Sequence, residues 1–260
     1  MSMATRVTTE TRGHVFLIGL NRPEKMNAAD EQMLHELSLA YAELDKNPEL
    51  WVGLVFAHGD HFTAGLDLHD LGPKMATGKM TMVPKGGLDP WGMTTRQVSK
   101  PVVMAIQGTC YTLGIELALA SEIVVASDNS RFAQLEVSRG ILPFGGATLR
   151  FPKAAGWSGA MRYLLTGDTF DAETALKMRL VTELVPSGTQ FDRALELANR
   201  IADQAPLAVQ QTLDSARAIY SEEREKLALA SRLSKLMVTN DVQRGMQAFA
   251  TKTKAEFEGN

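Results

Sequence analysis

The chain has 260 residues, 45% of them hydrophobic and 22% charged, and a formal net charge of −3, which is typical of a globular protein with one large or two small domains. This charge gives no reason to expect nucleic acid or an anionic membrane as a partner, and no apolar run reaches the ~18 residues of a membrane span. A single cysteine excludes an internal disulfide, and because polar residues fill the place of a signal peptide's apolar segment, we expect a cytoplasmic protein.

Four short apolar runs predict β-strands, at residues 14–20, 51–57, 102–106 and 123–126. Most are nearly continuous in their apolar character, as expected of strands covered on both faces. Segments with helical spacing of apolar residues lie between them, at 28–44, about 92–98 and 114–121. This alternation of strands and helices predicts parallel β/α units.

The second half of the chain predicts mostly helices, at about 157–165, 171–178, 188–204, 206–219 and 222–257. Residues 72–92 instead combine Gly, Pro and Lys with Met75, Met80 and Met82, and we expect a long loop there. Because methionine adapts to varied apolar surfaces, these side chains could line an apolar pocket. A mobile surface loop is an equally good interpretation.

Three segments carry the residues of greatest chemical interest. They are Phe-Thr-Ala-Gly-Leu-Asp-Leu at 62–68, Gly-Ile-Glu-Leu-Ala-Leu-Ala at 114–120, and Phe-Ala-Gln-Leu-Glu-Val at 132–137, which runs on to Pro-Phe-Gly-Gly at 143–146. Together they could supply backbone N–H groups for an oxyanion and two carboxylates, Glu116 and Glu136, for proton transfer. Taken alone, each glutamate could also be an acidic residue placed in the first turn of a helix, where it favours the helix dipole.

Taken together with Asn-Arg-Pro-Glu-Lys-Met-Asn-Ala at 21–28, Leu-Leu-Thr-Gly-Asp at 164–168 and Gly-Met-Gln-Ala-Phe at 245–249, these motifs resemble the crotonase superfamily, the enoyl-CoA hydratase/isomerase proteins. The resemblance extends from about residue 5 to 257. It implies an α/β fold, a spiral of ββα units over residues 1–200, followed by a helical trimerisation region over 201–260. It also implies homotrimers or dimers of trimers, and an apolar stripe in the predicted last helix is consistent with such contacts: Leu227, Leu229, Leu233, Leu236 and Met237.

The resemblance further implies that the substrate is an acyl thioester of coenzyme A and that no other cofactor is needed. Two backbone N–H groups would polarise the thioester carbonyl, one from Leu66 and the other from the turn at Leu113 and Gly114. Most relatives have a run of glycines at this turn, so Leu113 should narrow the acyl pocket while leaving its N–H in place. Physical chemistry supports this assignment, because a helix that begins near Gly114 leaves unpaired N–H groups at its positive end.

The two glutamates indicate which reaction takes place at the thioester. In hydratases of this superfamily both are present, and by this resemblance Glu116 activates water while Glu136 protonates the α-carbon. We therefore predict a lyase that adds water to a 2-enoyl-CoA. A double-bond isomerase, which often keeps only the later carboxylate, an acyl-CoA hydrolase and a non-catalytic binding protein are the alternatives. Phe144 replaces a glycine that is common in hydratases and adds bulk, so Glu136 could serve a narrower substrate or a reaction other than simple hydration.

For the coenzyme A end of the substrate, the resemblance implies contacts from Lys25, Ala64, Phe249 and Lys252, although Lys252 could equally be a solvated surface lysine. No metal site is expected, because the five histidines lack a ligand spacing. We expect Cys110 to be a small buried hydrophobic residue and Asp67 to be a helix N-cap.

Overall fold

The computed structural model describes residues 5–218, 231 and 235–260. Its strands, in chain order, are β1 (Val7–Arg12), β2 (Val15–Leu20), β3 (Val52–Ala57), β4 (Val102–Ile106), β5 (Thr109–Tyr111), β6 (Ile123–Ser127), β7 (Arg131–Ala133), β8 (Phe170–Asp171) and β9 (Glu183–Val185). Six of them form one sheet in the order β1-β2-β3-β4-β6-β9, and three form a second sheet in the order β5-β7-β8. Apart from β1, which is antiparallel to β2, neighbours in the larger sheet are parallel. The predicted parallel β/α arrangement is thus confirmed.

The helices are α1 (Glu31–Lys46), α2 (Leu68–Ala76), α3 (Leu113–Ala118), α4 (Ala147–Ala155), α5 (Trp157–Thr166), α6 (Ala172–Lys177), α7 (Gln190–Ala202), α8 (Pro206–Arg217) and α9 (Asn240–Thr251), with 3₁₀ turns at Pro23–Lys25 and Glu136–Arg139. In the described part of the chain, no helix combines the length and the apolar character that crossing a membrane requires.

The chain alternates between the two sheets, so that a strand of the larger sheet is followed by a strand of the smaller one. β4 in the larger sheet is followed after two residues by β5 in the smaller one, and β6 is followed after three residues by β7. β5 and β7 pair in parallel, so the segments that follow them leave the small sheet at the same edge. Those segments contain the two glutamates.

Apolar side chains cover both faces of the larger sheet. Neighbouring residues of β2 alternate between the faces, since Ile18 belongs to the core under α1 whereas Leu17 packs with Val103 against Ala194 and Ala198 of α7. Because strands buried on both faces need no polar positions, this explains the continuous apolar runs in the sequence.

Most predicted helices and strands are confirmed, although some begin or end at residues other than those predicted. The helix predicted at 28–44 begins at Glu31, because the Asp30 carboxylate accepts the N–H of Met33 at 2.9 Å and caps the helix. The predicted long loop is shorter than expected, because α2 extends to Ala76 despite an internal proline, Pro73. The short strands β1, β5, β7, β8 and β9 were not predicted, since two to six residues of mixed character carry little periodic signal.

The helix predicted at about 92–98 is wrong. This segment is a series of bends, held by the buried carboxylate of Asp89, which accepts the N–H groups of Trp91, Met93 and Thr94 at 2.7–2.9 Å. Because these N–H groups are already bonded to a side chain, the segment has no need of a helical hydrogen-bond pattern.

The last predicted helix, at 222–257, is only partly within the described residues. Leu227, Leu229 and Leu233 lie outside them, as does the side chain of Phe249. The described helix α9 ends at Thr251, where Lys252 adopts a left-handed φ of 54°, so the prediction of a helix to residue 257 is wrong at its C-terminal end. The division of the chain at residue 200 stays a prediction.

Candidate active site

Three chain segments meet at one edge of the small sheet. Thr63 forms a parallel bridge with Cys110 of β5, and Cys110 is paired in turn with Phe132 of β7. The residues that follow these three positions therefore run side by side, at 64–67, 112–116 and 134–136. They are the three segments that the sequence singled out, and the fold brings them together.

These segments line a cavity of about 220 Å³. Its walls are mainly apolar and come from the three segments, from the loop after Glu136 and from Met82; the lining residues are Ala64, Leu66, Leu68, Met82, Thr112, Leu113, Glu116, Leu135, Glu136, Arg139, Ile141 and Phe144. Six of the predicted site residues are among them: Ala64, Leu66, Leu113, Glu116, Glu136 and Phe144. Leu113 and Phe144 are both part of the wall, and the narrowing expected from their side chains stays a prediction.

The carboxylate of Glu116 is buried and held by two backbone N–H groups. Its Oε1 atom accepts hydrogen bonds from Gly145 at 2.8 Å and from Ala147 at 3.1 Å. Burial raises the pKa of Glu116 above its ordinary value, and these hydrogen bonds oppose the rise. The side chain is therefore fixed in position, and its ionised form is stabilised by the loop that follows Phe144.

Glu136 lines the same cavity, and its carboxyl group has fewer hydrogen-bond partners than that of Glu116. The residue is 6% exposed, and its buried Oε2 atom has no hydrogen-bond partner among the described residues. Burial raises the pKa of Glu136 to about 7, with the charge of Glu116 adding to this effect and the backbone N–H of Glu136 opposing it. One cavity thus contains two carboxyl groups of different character, the arrangement that separates the roles of acid and base.

Unpaired N–H groups belong to the segments at this edge as well. Among the described residues, the N–H groups of Leu66, Leu113 and Gly114 have no protein acceptor, whereas the N–H of Glu116 donates to Thr112. α3 begins at Leu113, one residue earlier than Gly114, so the N–H groups of Leu113 and Gly114 lie in its first turn, where no intrahelical acceptor is available. Gly114 itself is buried and is not among the residues that line the cavity.

The predicted coenzyme A contacts are brought together only in part. Lys25 lies in the 3₁₀ turn whose next residue, Met26, accepts the N–H of Ala64 at 2.9 Å, and it lines a charged depression with Arg22 and Lys74. Lys252 is exposed at the end of α9 and is not among the described residues that line the cavity. The side chain of Phe249 lies outside the described part of the chain.

The sequence did not reveal three residues that shape this site. Thr112 lines the cavity, the indole N–H of Trp91 donates to the carbonyl of Leu113 at 3.0 Å, and Asp89 holds the loop that carries Trp91. The Thr-Leu-Gly sequence in place of a glycine run was the available signal for Thr112. Nothing in the sequence indicated that residues 89–91 would contact α3.

The remaining candidates have structural roles. Cys110 is fully buried, and burial raises the pKa of its thiol, in agreement with the expected hydrophobic role. Asp67 caps α2 by accepting the N–H groups of His69 and Asp70, as predicted. His61 accepts the N–H of Thr109 through its Nδ1 atom at 3.1 Å and so fastens the first segment to β5.

Comparison with known proteins gives consistent matches over nearly the whole chain. A sequence model described as enoyl-CoA hydratase/isomerase matches residues 10–260. A carnitinyl-CoA dehydratase of Proteus mirabilis is 34% identical, with both chains covered completely, and an enoyl-CoA hydratase of Mycobacterium tuberculosis is 30% identical over 96% of this chain and 95% of its own. The crystal structure of a probable enoyl-CoA hydratase/isomerase from Mycobacterium abscessus superposes with a TM-score of 0.94 at 46% identity, over 98% of this chain and 99% of that one.

Proposed function

This chain belongs to the enoyl-CoA hydratase/isomerase family, and from that premise we propose that it adds water across the double bond of a 2-enoyl-CoA thioester. The family confirms the predicted crotonase-type α/β fold and a hydratase-like enzyme. The observation that carries the proposal is the cavity in which two buried carboxyl groups, Glu116 and Glu136, lie beside the unpaired N–H groups of Leu66 and Leu113.

The N–H groups are proposed to bind the thioester oxygen. As water adds to the β-carbon, negative charge moves through the conjugated system onto this oxygen. Donors on Leu66 and Leu113 that have no other acceptor can stabilise that charge without first breaking a hydrogen bond. Each such donor typically contributes about 3 kcal/mol to lowering the barrier.

The carboxyl groups are proposed to move the protons. Ionised Glu116 accepts a proton from the attacking water while the oxygen forms its bond to the β-carbon. Protonated Glu136 delivers a proton to the α-carbon. Because one carboxyl group gains a proton and the other loses one, the addition of water leaves the total charge of the site unchanged. The pKa of Glu136 near 7 and the hydrogen bonds to Glu116 support these roles, because they favour one protonated and one ionised group near neutral pH.

A double-bond isomerase is the second candidate. Such an enzyme needs one carboxyl group to take a proton from one carbon and return it to another, and Glu136 has a suitable pKa for this. The retention of Glu116, fixed by two N–H groups, favours hydration, because an isomerase has no water to activate. An acyl-CoA hydrolase would use the same N–H donors and releases a free thiol.

Other parts of the proposal concern binding and assembly. We propose that Lys25 and Ala64 contact the nucleotide end of coenzyme A and that Phe249 and Lys252 add contacts from the C-terminal region. We also propose a homotrimer, alone or as a pair of trimers, with residues 201–260 contributing to its contacts. Large apolar side chains that are 56–71% exposed support association, since a solvated surface rarely carries several of them: Leu142, Leu149, Trp157 and Leu165.

The test is an assay of the purified protein with 2-enoyl thioesters of increasing chain length. Hydration removes the absorbance of the conjugated enoyl thioester without releasing a thiol. An isomerase would instead generate that absorbance from a 3-enoyl thioester, and a hydrolase would release coenzyme A with its free thiol. Loss of enoyl absorbance with no free thiol supports the proposal, whereas an inert 2-enoyl series rules it out.

A further inference from the structure

Thr112 has a backbone conformation that its side chain disfavours. Its φ of 48° and ψ of −110° fall in a region that glycine adopts readily, and it is the only β-branched residue with positive φ among the described residues. Strain of this kind persists only where the surroundings impose it, and it is concentrated at functional sites. Contacts around Thr112 must therefore hold it in this conformation.

The side chain of Thr112 packs against Gly65. A Cβ atom on Gly65 would collide with Thr112 Oγ1 and would lie 3.4 Å from its Cβ and 3.6 Å from its Cγ2. Gly65 has a φ of 101°, so its own conformation and this contact both require glycine. The hydroxyl is buried and has no hydrogen-bond partner among the described residues. The contact is therefore one of packing, and the side chain fills the space over Gly65.

This contact joins the two turns that carry the proposed donors. Gly65 is followed by Leu66 and Thr112 by Leu113, so the ψ angle of each contacting residue sets the direction of the next N–H. The peptide on the N-terminal side of Thr112 is fixed, since its N–H donates to the carbonyl of Ala133 at 2.9 Å. Relaxation of Thr112 would consequently rotate the peptide between Thr112 and Leu113, against the hydrogen bond that the Thr112 carbonyl accepts from the Glu116 N–H at 3.1 Å, and would turn the Leu113 N–H away from its present direction.

We propose that Thr112 is a positioning residue: its side chain, braced against Gly65, holds the strained peptide that aims the Leu113 N–H into the cavity beside the Leu66 N–H. This inference rests on the proposed function of the cavity. It assigns to the contact between Thr112 and Gly65 the role of keeping the two N–H groups in the direction that the reaction needs. A direct role of the hydroxyl as a third donor is disfavoured, because Oγ1 is buried against Gly65 before any substrate binds.

Three substitutions separate packing from hydrogen bonding and from strain. Thr112→Val keeps the shape of the brace and loses the hydroxyl, so kcat should stay within about twofold of the parent. Thr112→Ala keeps the strain and loses the brace, so kcat should fall at least about tenfold, approaching the ~100-fold that a lost donor costs. Thr112→Gly removes the strain, and because glycine needs no brace at positive φ, its kcat should recover relative to Thr112→Ala.

A second readout does not depend on hydration. A bound aryl-acryloyl-CoA thioester absorbs at longer wavelength when N–H groups polarise its carbonyl, and this shift should be retained in Thr112→Val and reduced in Thr112→Ala. If the parent protein shifts the spectrum yet hydrates nothing, the proposed reaction fails while the positioning role is still measured. KM should change less than kcat, because the donors act on charge that develops in the transition state.

Two results would overturn the positioning role. Equal kcat and equal spectral shift in folded Thr112→Ala and parent proteins would show that the contact serves the fold alone. A loss of activity in Thr112→Val that is restored in Thr112→Ser would show that the hydroxyl itself is the donor. Circular dichroism establishes folding, and Thr112→Gly provides a variant free of strain if Thr112→Ala fails to fold.

Discussion

The carboxylate of Glu116 and the backbone of Gly145 are in direct contact. Oε1 accepts the Gly145 N–H at 2.8 Å, and a Cβ atom added to Gly145 would lie 2.5 Å from Oε2 and 3.1 Å from Cδ1 of Trp91. Gly145 therefore donates a hydrogen bond to the carboxylate, and its lack of a side chain leaves the space that the carboxylate occupies. Because Trp91 closes the other side, a larger residue at this position must displace the glutamate.

Gly145→Ala should accordingly lower kcat. The added methyl group would shift the Glu116 carboxylate, and displacement of a catalytic group by a few tenths of an ångström to 1 Å typically costs about 10- to 100-fold in rate. Steady-state kinetics with a 2-enoyl-CoA substrate measures the effect. Gly159→Ala in α5 is the matched control, since its methyl group would meet only Ala155 Cβ at 3.6 Å, and its kcat should equal that of the parent.

The buried carboxyl of Glu136 should make activity fall as pH rises. Burial raises its pKa to about 7, so the protonated acid that the proposed reaction needs is lost above that pH. We expect kcat/KM for hydration to decline on the alkaline side with an apparent pKa near 7, which belongs to the coupled pair with Glu116. A flat profile from pH 6 to 9 in a folded enzyme would remove Glu136 as the acid.

The same group should contribute to the pH dependence of stability. A carboxyl group whose pKa is higher in the folded protein than its ordinary value of 4.5 stabilises the fold fully below pH 4.5, and this contribution is lost as pH rises through about 7. Glu136→Gln cannot ionise and should therefore gain stability relative to the parent between those pH values. Urea unfolding at pH 5 and pH 8 measures the difference. If the free energies of unfolding of Glu136→Gln and the parent differ by the same amount at pH 5 and pH 8, the proposed rise in the pKa of Glu136 is contradicted.

Two substitutions at Leu66 test the proposed backbone donor. Leu66→Ala keeps the N–H and should retain much of the turnover while changing the preferred acyl chain, because the side chain lines the cavity. Leu66→Pro removes the donor and should cost on the order of 3 kcal/mol of transition-state stabilisation. Circular dichroism must show that the proline variant is folded. Parent-like hydration by a folded Leu66→Pro protein would exclude this donor.

Association should be visible in solution. The exposed apolar side chains of Trp157 and Leu165, 71% and 70% exposed in the single chain, support a homotrimer or a pair of trimers. Light scattering at micromolar concentration should give three or six times the mass of one chain. Trp157→Glu should weaken the assembly if this surface contributes, with Leu39→Glu on α1, 47% exposed, as the matched control. A monomeric parent protein contradicts the proposal.

The buried strands and the residues that share the cavity could be predicted from the sequence. Continuous apolar runs predicted the strands that are buried on both faces, such as β3 and β4. The order of the glycine-bearing motifs predicted that Leu66, Glu116 and Glu136 would share a site, and they line one cavity. These features follow from local periodicity and from short motifs, which a single sequence carries.

The remainder depends on contacts between distant segments. No local pattern indicates that Asp89 would bond four groups of its own loop and so replace the predicted helix at 92–98. The contact of Trp91 with Leu113 and the packing of Thr112 on Gly65 join residues 22 and 47 positions apart in the chain. Such contacts are set by the spiral and cannot be read from residue spacing.

The most direct test of the central claim is hydration of crotonyl-CoA by the parent and by two isosteric variants, Glu116→Gln and Glu136→Gln. Each variant removes one proton-transfer group from the cavity and keeps its shape, so each should lower kcat at least about 100-fold in a folded protein. Progress is followed as loss of the enoyl thioester absorbance. Parent-level hydration by both single variants would show that the two carboxyl groups are not the catalysts and would contradict the account.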